Sequence, residues 1–560
     1  MTMTDSPPAT DTAPAVSSPA VAGLYDALTT TDHRRIGRLW LRTGLVGLLG
    51  AVVIGVLLGI ESTDAASTDV FGGDNAYFQM WALYRIGLAL LVAAPLFIGL
   101  AMVVVPMQVG STNIAFPRAA LGAAWGFMIG AGIMVVSVLA AGGWGATDRA
   151  TGDERDAVAL TLVGMGLVII SILLASMCIA TTVISLRVKG MTLMHAPLFA
   201  WSMLVTAAVW LLTLPVLLAN LVIAYVDLHN GPGTFGGGLN GSVDIYHQIA
   251  WLVEQPQVYA FAIPALGVLG SVVPVAAGVR AARHAVSLGL IGLFGLLAIG
   301  AWSQPFFQND GAIPHDEQFL FIAFGLAAVL PVLGAMGGAG DTMAKGKDAI
   351  VGLPAAHLMG ALGGGLLLLA GVAAGAVRVI EPLELGGSTD AVEGIGTLAV
   401  SGVGNLVLFG AITAAVGGFW FWASKIGGHE LSPMMGRLAI ADLLLGGVLL
   451  GGAQVVSGFF DTVNDPRFVP TAEAADALAW ISTAGAVLVA LGALGVVAAI
   501  AGAVRRGPAG GDDPWGGQTL EWSTVDGVFT EPPALVTSEA PLLDRTELEP
   551  EVDSTEGEES

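Results

Sequence analysis

Residues 254–259 read Glu-Gln-Pro-Gln-Val-Tyr and interrupt a long apolar run. A carboxyl, two amides and a phenol at this spacing can exchange protons or electrons, or hold a ligand, inside a low-dielectric interior. Polar side chains in lipid are costly, so they usually face a bundle interior and often mark a site. Glu254 is the ionisable member and Tyr259 the redox-capable one, while Gln255 and Gln257 can only donate and accept hydrogen bonds. Asp442 and His357 are two more ionisable residues expected deep in apolar runs. For all three ionisable groups two roles stay open: an ion or proton route, or a neutral group bonded to a neighbour or reaching the interface. Arg85, beside Tyr84, is expected at an outer span end, anchored to a carboxylate or holding an anionic group.

The elements that must position these groups are membrane helices. Of 560 residues 55% are hydrophobic and 12% charged, with mean hydropathy +0.78, whereas a soluble domain carries about 25% charged residues. Apolar runs of about 20 residues, enough to cross the hydrocarbon layer, are expected near 43–60, 86–109, 119–142, 159–186, 199–226, 248–276, 286–305, 318–337, 350–377, 395–424, 438–460 and 477–504. The expected fold is therefore an all-α integral membrane bundle of twelve transmembrane helices. Dense Gly and Ala within the runs let helices approach closely.

All but five of the 21 Lys and Arg (Arg85, Arg149, Arg155, Arg378 and Arg467) fall on the side of the chain ends. The positive-inside bias then makes both termini cytoplasmic. Residues 1–30 read as a disordered arm without a signal peptide's basic and apolar regions, 31–506 as the membrane domain, and 507–560 as an acidic cytoplasmic tail. Within the tail, Asp513–Trp522 has two Trp and a Leu to bury and is expected to pack on the cytoplasmic face. The opposite loops are acidic, either a docking face for a basic cytochrome or an acidic surface that aids solubility. Cys178 stands alone, so no internal disulfide forms. No phosphate loop, zinc pattern, hydrolase triad or nucleic-acid patch is present.

Four ordered segments carry a family resemblance: Thr31–Gly37; Val105-Pro106 with Ala115-Phe116-Pro117-Arg118; Gly190–Leu193 with Pro197–Trp201; and Asp513-Pro514-Trp515 through Leu520-Glu521-Trp522. Together they resemble subunit I of the haem–copper oxygen reductases, the cytochrome c oxidase family. The resemblance implies six His ligands for two haems and a copper, imidazole being suited to both metals. It also implies where they should stand. The low-spin haem position on span two is Tyr84, and the two haem positions on span ten are Gly402 and Gly404. The copper positions are Gln255 on span six and Gln304 and Pro305 on span seven. The proton-path positions hold Asn113, Gln257 and Ala335, none of which titrates; Glu254 is the possible substitute. Only Tyr259, at the family's redox Tyr position, is kept.

A count independent of alignment agrees. The chain has eight His, six of them in loops or at span edges, with His247 at the outer mouth of span six and only His357 expected well inside the apolar layer. Six buried imidazoles cannot be assembled from these. The expectation is a membrane protein of a prokaryotic plasma membrane, without haem or copper of its own, working as an accessory or structural subunit of a respiratory or electron-transfer complex. Two alternatives stand beside it: an active terminal oxidase with haem and copper held by unusual ligands, and a proton or ion channel or transporter that reuses the emptied core through Glu254.

Overall fold

In a computed structural model the described residues are 28–63, 70–72, 74–141, 153–231, 256–281, 283–300, 323–346, 352–380, 398–460, 473–525 and 527–529. Among them the fold is all-helical, with two isolated bridges, His429 to Ala509 and Val525 to Val528. The helices are α1 (His33–Thr63), α2 (Asp74–Gly87), α3 (Ala94–Gln108), α4 (Pro117–Ala141), α5 (Asp153–Ser185), α6 (Leu198–Asn230), α7 (Pro256–Ala277), α8 (His284–Gly300), α9 (Val329–Lys345), α10 (Ala356–Ile380), α11 (Leu398–Phe421), α12 (Ala423–Gly427), α13 (Pro433–Gly458) and α14 (Glu473–Arg506). A π-helical turn, Leu88–Ala93, joins α2 to α3 in one continuous span.

Eleven described helices are long and apolar enough to cross a membrane, and His284–Ala298 is a shorter apolar one. Each coincides with one of the expected runs. Side chains such as Val46, Leu212, Leu296 and Leu330 are more than 60% exposed, as a lipid-facing belt requires.

The spans differ in how central they are. The apolar windows of Gln79–Gln108 and of α11 are 100% and 94% buried, against 28% for α1. Hydropathy alone does not set this order, since α1 at 2.4 is more apolar than α11 at 1.8 and lipid accepts apolar faces as readily as a helix does. Close packing between spans relies on residues without side chains. An added Cβ at Gly364 of α10 would lie 2.6 Å from Gly410 O and Ala414 N of α11. Gly446 of α13 is just as close to Gly485 O of α14, at 2.7 Å. With no water to expel, this backbone proximity and its dispersion contacts hold such helices together.

The segment after α14 does fold back. Trp515 Nε1 donates to Phe421 O at 2.9 Å, Gln518 Nε2 to Val279 O at 3.0 Å, and Gly510 N to Gly428 O at 2.9 Å. Leu520 and Trp522 are buried.

Candidate functional site

The two most buried spans meet through a chain of polar side chains. Tyr84, on α2, is 8% exposed, and its ring fits the notch left by Gly55 of α1, where a Cβ would lie 2.8 Å from Cε2. Its hydroxyl donates to Asn405 Oδ1 of α11 at 3.2 Å. Asn405 Nδ2 in turn donates to Gln454 Oε1 of α13 at 2.7 Å. Three helices are thus stitched by one phenol and two amides, each with a partner, which is what a buried polar group in lipid requires.

The neighbouring glycines of α11 behave differently from each other. A Cβ at Gly402 would lie 2.5 Å from Val455 N and 2.7 Å from Gly451 O, so α13's backbone seals that position. At Gly404 an added Cβ would meet no heavy atom within 4 Å.

Tyr259 on α7 is also buried, at 6%. Its ring centroid is 6.0 Å from that of Phe294, and its hydroxyl lies against Gly375 of α10, where any Cβ would collide with it. Tyr259 and Tyr84 contribute to different helix contacts. Asn113 has a local duty: its Nδ2 donates to Thr31 O at 3.0 Å and its Oδ1 accepts from Ile114 N at 2.9 Å, tying the α3–α4 loop to the segment before α1. Ala335 packs on α9 as an apolar residue. Glu254, Gln255, Gln304 and Pro305 lie outside the described residues, as does the side chain of Gln257.

His357 corrects an expectation. It lies in the first turn of α10, not deep in the span, because the helix starts only at Ala356. Pro354 fixes its own φ, lacks an N–H and turns the residue before it away from helical geometry. The imidazole packs on Trp515 at 4.4 Å and on Phe421 at 5.6 Å. Asp442 sits half-buried in the third turn of α13, and Arg85 stacks over Trp81 at 5.1 Å.

A second polar cluster lies beneath the folded tail. Glu521 is fully buried, and its Oε1 accepts from Gln108 Nε2 at 2.9 Å and Trp422 Nε1 at 3.2 Å. Lys425 donates to Thr524 O at 2.7 Å and Oγ1 at 3.0 Å. Burial raises the Glu521 carboxyl above its ordinary range, against its hydrogen bonds, and burial lowers Lys425. A raised carboxyl pKa means the docked tail holds its proton more tightly than the undocked tail. Docking is therefore strongest below the ordinary value of 4.5 and weakens as pH rises through the raised pKa. Amide exchange of residues 515–525, corrected for intrinsic rate, should show this loss of protection, and Glu521→Gln should flatten it. An unchanged pH profile in the variant would contradict the assignment.

Sequence reasoning missed Asn405, Gln454 and Gln108. Each is an amide in an apolar span, the same signal that singled out Gln255, and each could have been found by it.

A sequence model described as Cytochrome C and Quinol oxidase polypeptide I matches residues 35–488. The chain belongs to that family. A putative cytochrome c oxidase subunit 1-beta of Streptomyces avermitilis is 29% identical over 538 residues, covering 92% of this chain and 91% of the relative. Cytochrome c oxidase subunit 1 of Bacillus subtilis is 25% identical over 543 residues, covering 93% and 82%. Quinol oxidase subunit 1 of the same organism is 24% identical over 560 residues, covering 94% and 81%.

Members of the oxidase subunit I family bind haem and copper, so the fit of these groups to the residues present matters. A haem ligated from α2 and α11 needs the macrocycle between its two ligands. Here the Tyr84 hydroxyl is bonded directly to the Asn405 amide of α11. Gly402 has no room for any side chain. Among the described residues no three His, Cys, Asp or Glu side chains come together in a way that could hold a metal. At the described haem positions, then, Tyr84 is engaged with Asn405, Gly402 is closed by backbone and Gly404 is open, and none carries an imidazole.

Proposed function

We propose that this chain is an oxidase subunit I-like membrane protein without an oxygen-reducing centre of its own. It acts as an accessory or structural subunit of a respiratory or electron-transfer complex in a prokaryotic plasma membrane, with both termini cytoplasmic. The observation that carries this reading is the Tyr84–Asn405–Gln454 chain, which occupies the contact between α2 and α11 with paired neutral groups. The residues at the remaining family positions, Gly402, Gly404, Gln255, Gln304 and Pro305, supply no imidazole, and Asn113, Gln257 and Ala335 supply no proton carrier. The relatives carry the name subunit 1, which supports a place in a multi-subunit complex.

The test is spectroscopic. The chain purified with its native partners is expected to give a reduced-minus-oxidised visible spectrum with no haem attributable to it, and less than stoichiometric iron and copper. One haem per chain, retained after partners are stripped, would overturn the reading and favour an oxidase with unusual ligation.

A further inference from the structure

At the tail-bearing end of the bundle a cavity of about 210 Å³ opens between the start of α10, the α11–α13 connection and the docked tail. His357, Trp420, Ser424, Glu430, Arg437 and Trp515 are among its lining residues. His357 is 4% exposed, and its ring nitrogens have no hydrogen-bond partner among the described residues. Ser424 Oγ is buried without a partner among the described residues. Arg437 donates Nε to Pro354 O at 2.9 Å and Nη2 to Leu353 O at 3.3 Å, which fixes the guanidinium at the cavity with N–H groups to spare. It makes no ion pair among the described residues.

Two helices begin at this cavity, α10 at Ala356 and α13 at Pro433. The first turn of α10 carries N–H groups without intrahelical acceptors, and both helices bring the positive end of a dipole, although in α13 Pro433 has no N–H and Ser432 Oγ already accepts from Met435 N. An unpaired guanidinium, a buried imidazole, a free hydroxyl and two helix N-termini converge on one space. All of them can donate to, or attract, an anion.

We propose that this cavity binds a phosphate group, and that the docked tail completes it through Trp515. The two sources of that chemistry are a phospholipid headgroup and free phosphate. Placement favours the lipid: Leu353, Met434 and Leu438, beside the cavity, are 77%, 71% and 52% exposed, as lipid-facing side chains at a helix end are. Glu430, exposed at the rim, opposes the anion and sets the site's affinity below its limit.

Delipidated full-length protein would be titrated with phosphatidylglycerol and with phosphatidylcholine of the same chains by native mass spectrometry, and with inorganic phosphate by calorimetry. One phosphatidylglycerol per chain is expected, held about tenfold or more tightly than in Arg437→Gln, a charge-assisted hydrogen bond being the difference. Arg437 also anchors the start of α10, so His357→Leu and Glu430→Gln serve as variants that leave that anchor intact. The first should weaken binding and the second strengthen it, each by roughly threefold. Stoichiometric binding of inorganic phosphate with the same variant pattern and no lipid preference would uphold the anion site and assign it to soluble phosphate. Binding of neither probe, or lipid binding indifferent to all three substitutions, would overturn the proposal.

Discussion

Gly402→His is expected to yield a protein that folds poorly, although it restores the residue type at the expected family haem position. The imidazole's own Cβ would start 2.5 Å from Val455 N, against backbone that cannot rotate away. Overpacking a core typically costs about 1–3 kcal/mol, and a collision with backbone belongs at or beyond the top of that range. Size-exclusion yield and the thermal midpoint in detergent would both drop sharply, with no rescue by added haem. Gly404→His is the control: nothing lies within 4 Å of its added Cβ, so it should fold nearly as the native chain does. Equal stability of the two variants would show that α11 and α13 can separate, and the fit argument against a haem there would lose its footing.

The second large effect is expected at Asn405→Leu. Leucine matches the amide in size, but the change strands the Tyr84 hydroxyl and the Gln454 amide together in an apolar interior. An unsatisfied buried group costs about 1–3 kcal/mol in a soluble protein, and hydrogen bonds within bilayers average nearer 0.6 kcal/mol. A loss of about 2 kcal/mol is therefore expected, read as unfolding in a mild-detergent denaturant series. Tyr84→Phe removes one end only and should cost about half as much. In the double variant the two losses should not add, since they share the bond. Strict additivity would mean that the chain of amides does not act as a unit.

The frame was readable because it is set by composition and period. Each apolar run is long enough to demand a helix, and the positions of the structure's helices follow from that alone. The burial of Tyr259 was readable from its place in the expected run 248–276, whereas Tyr84 stood just outside the run expected at 86–109 and its burial was not. What stayed hidden was pairing. Asn405 and Tyr84 are 321 positions apart in the chain, and Asn405 and Gln454 are 49 apart. A one-dimensional pattern can flag each as anomalous but cannot say which anomaly answers which. The same gap explains His357: its hydropathic surroundings suggested depth, whereas the helix start set by Pro354 puts it in the first turn of α10, against the Trp515 ring. Asn113 shows the reverse case, where a residue noted for lacking a charge has a structural bond of its own to Thr31.

The buried bond between Gln108 and Glu521 spans 413 positions. A ribosome adding about 5–20 residues per second takes roughly 20 to 80 seconds to make that stretch. Throughout that interval the Gln108 amide, at the end of the second span, has no carboxyl to meet, and for the last part of it neither has Trp422. The helices that meet the tail are all made while their common end still lacks its cover. The segment that closes it is made only after every helix it packs against. A chain that stops short of Glu521 would leave Gln108 and Trp422 without that carboxyl for good, a physical difference between a truncated copy and one that reaches Glu521.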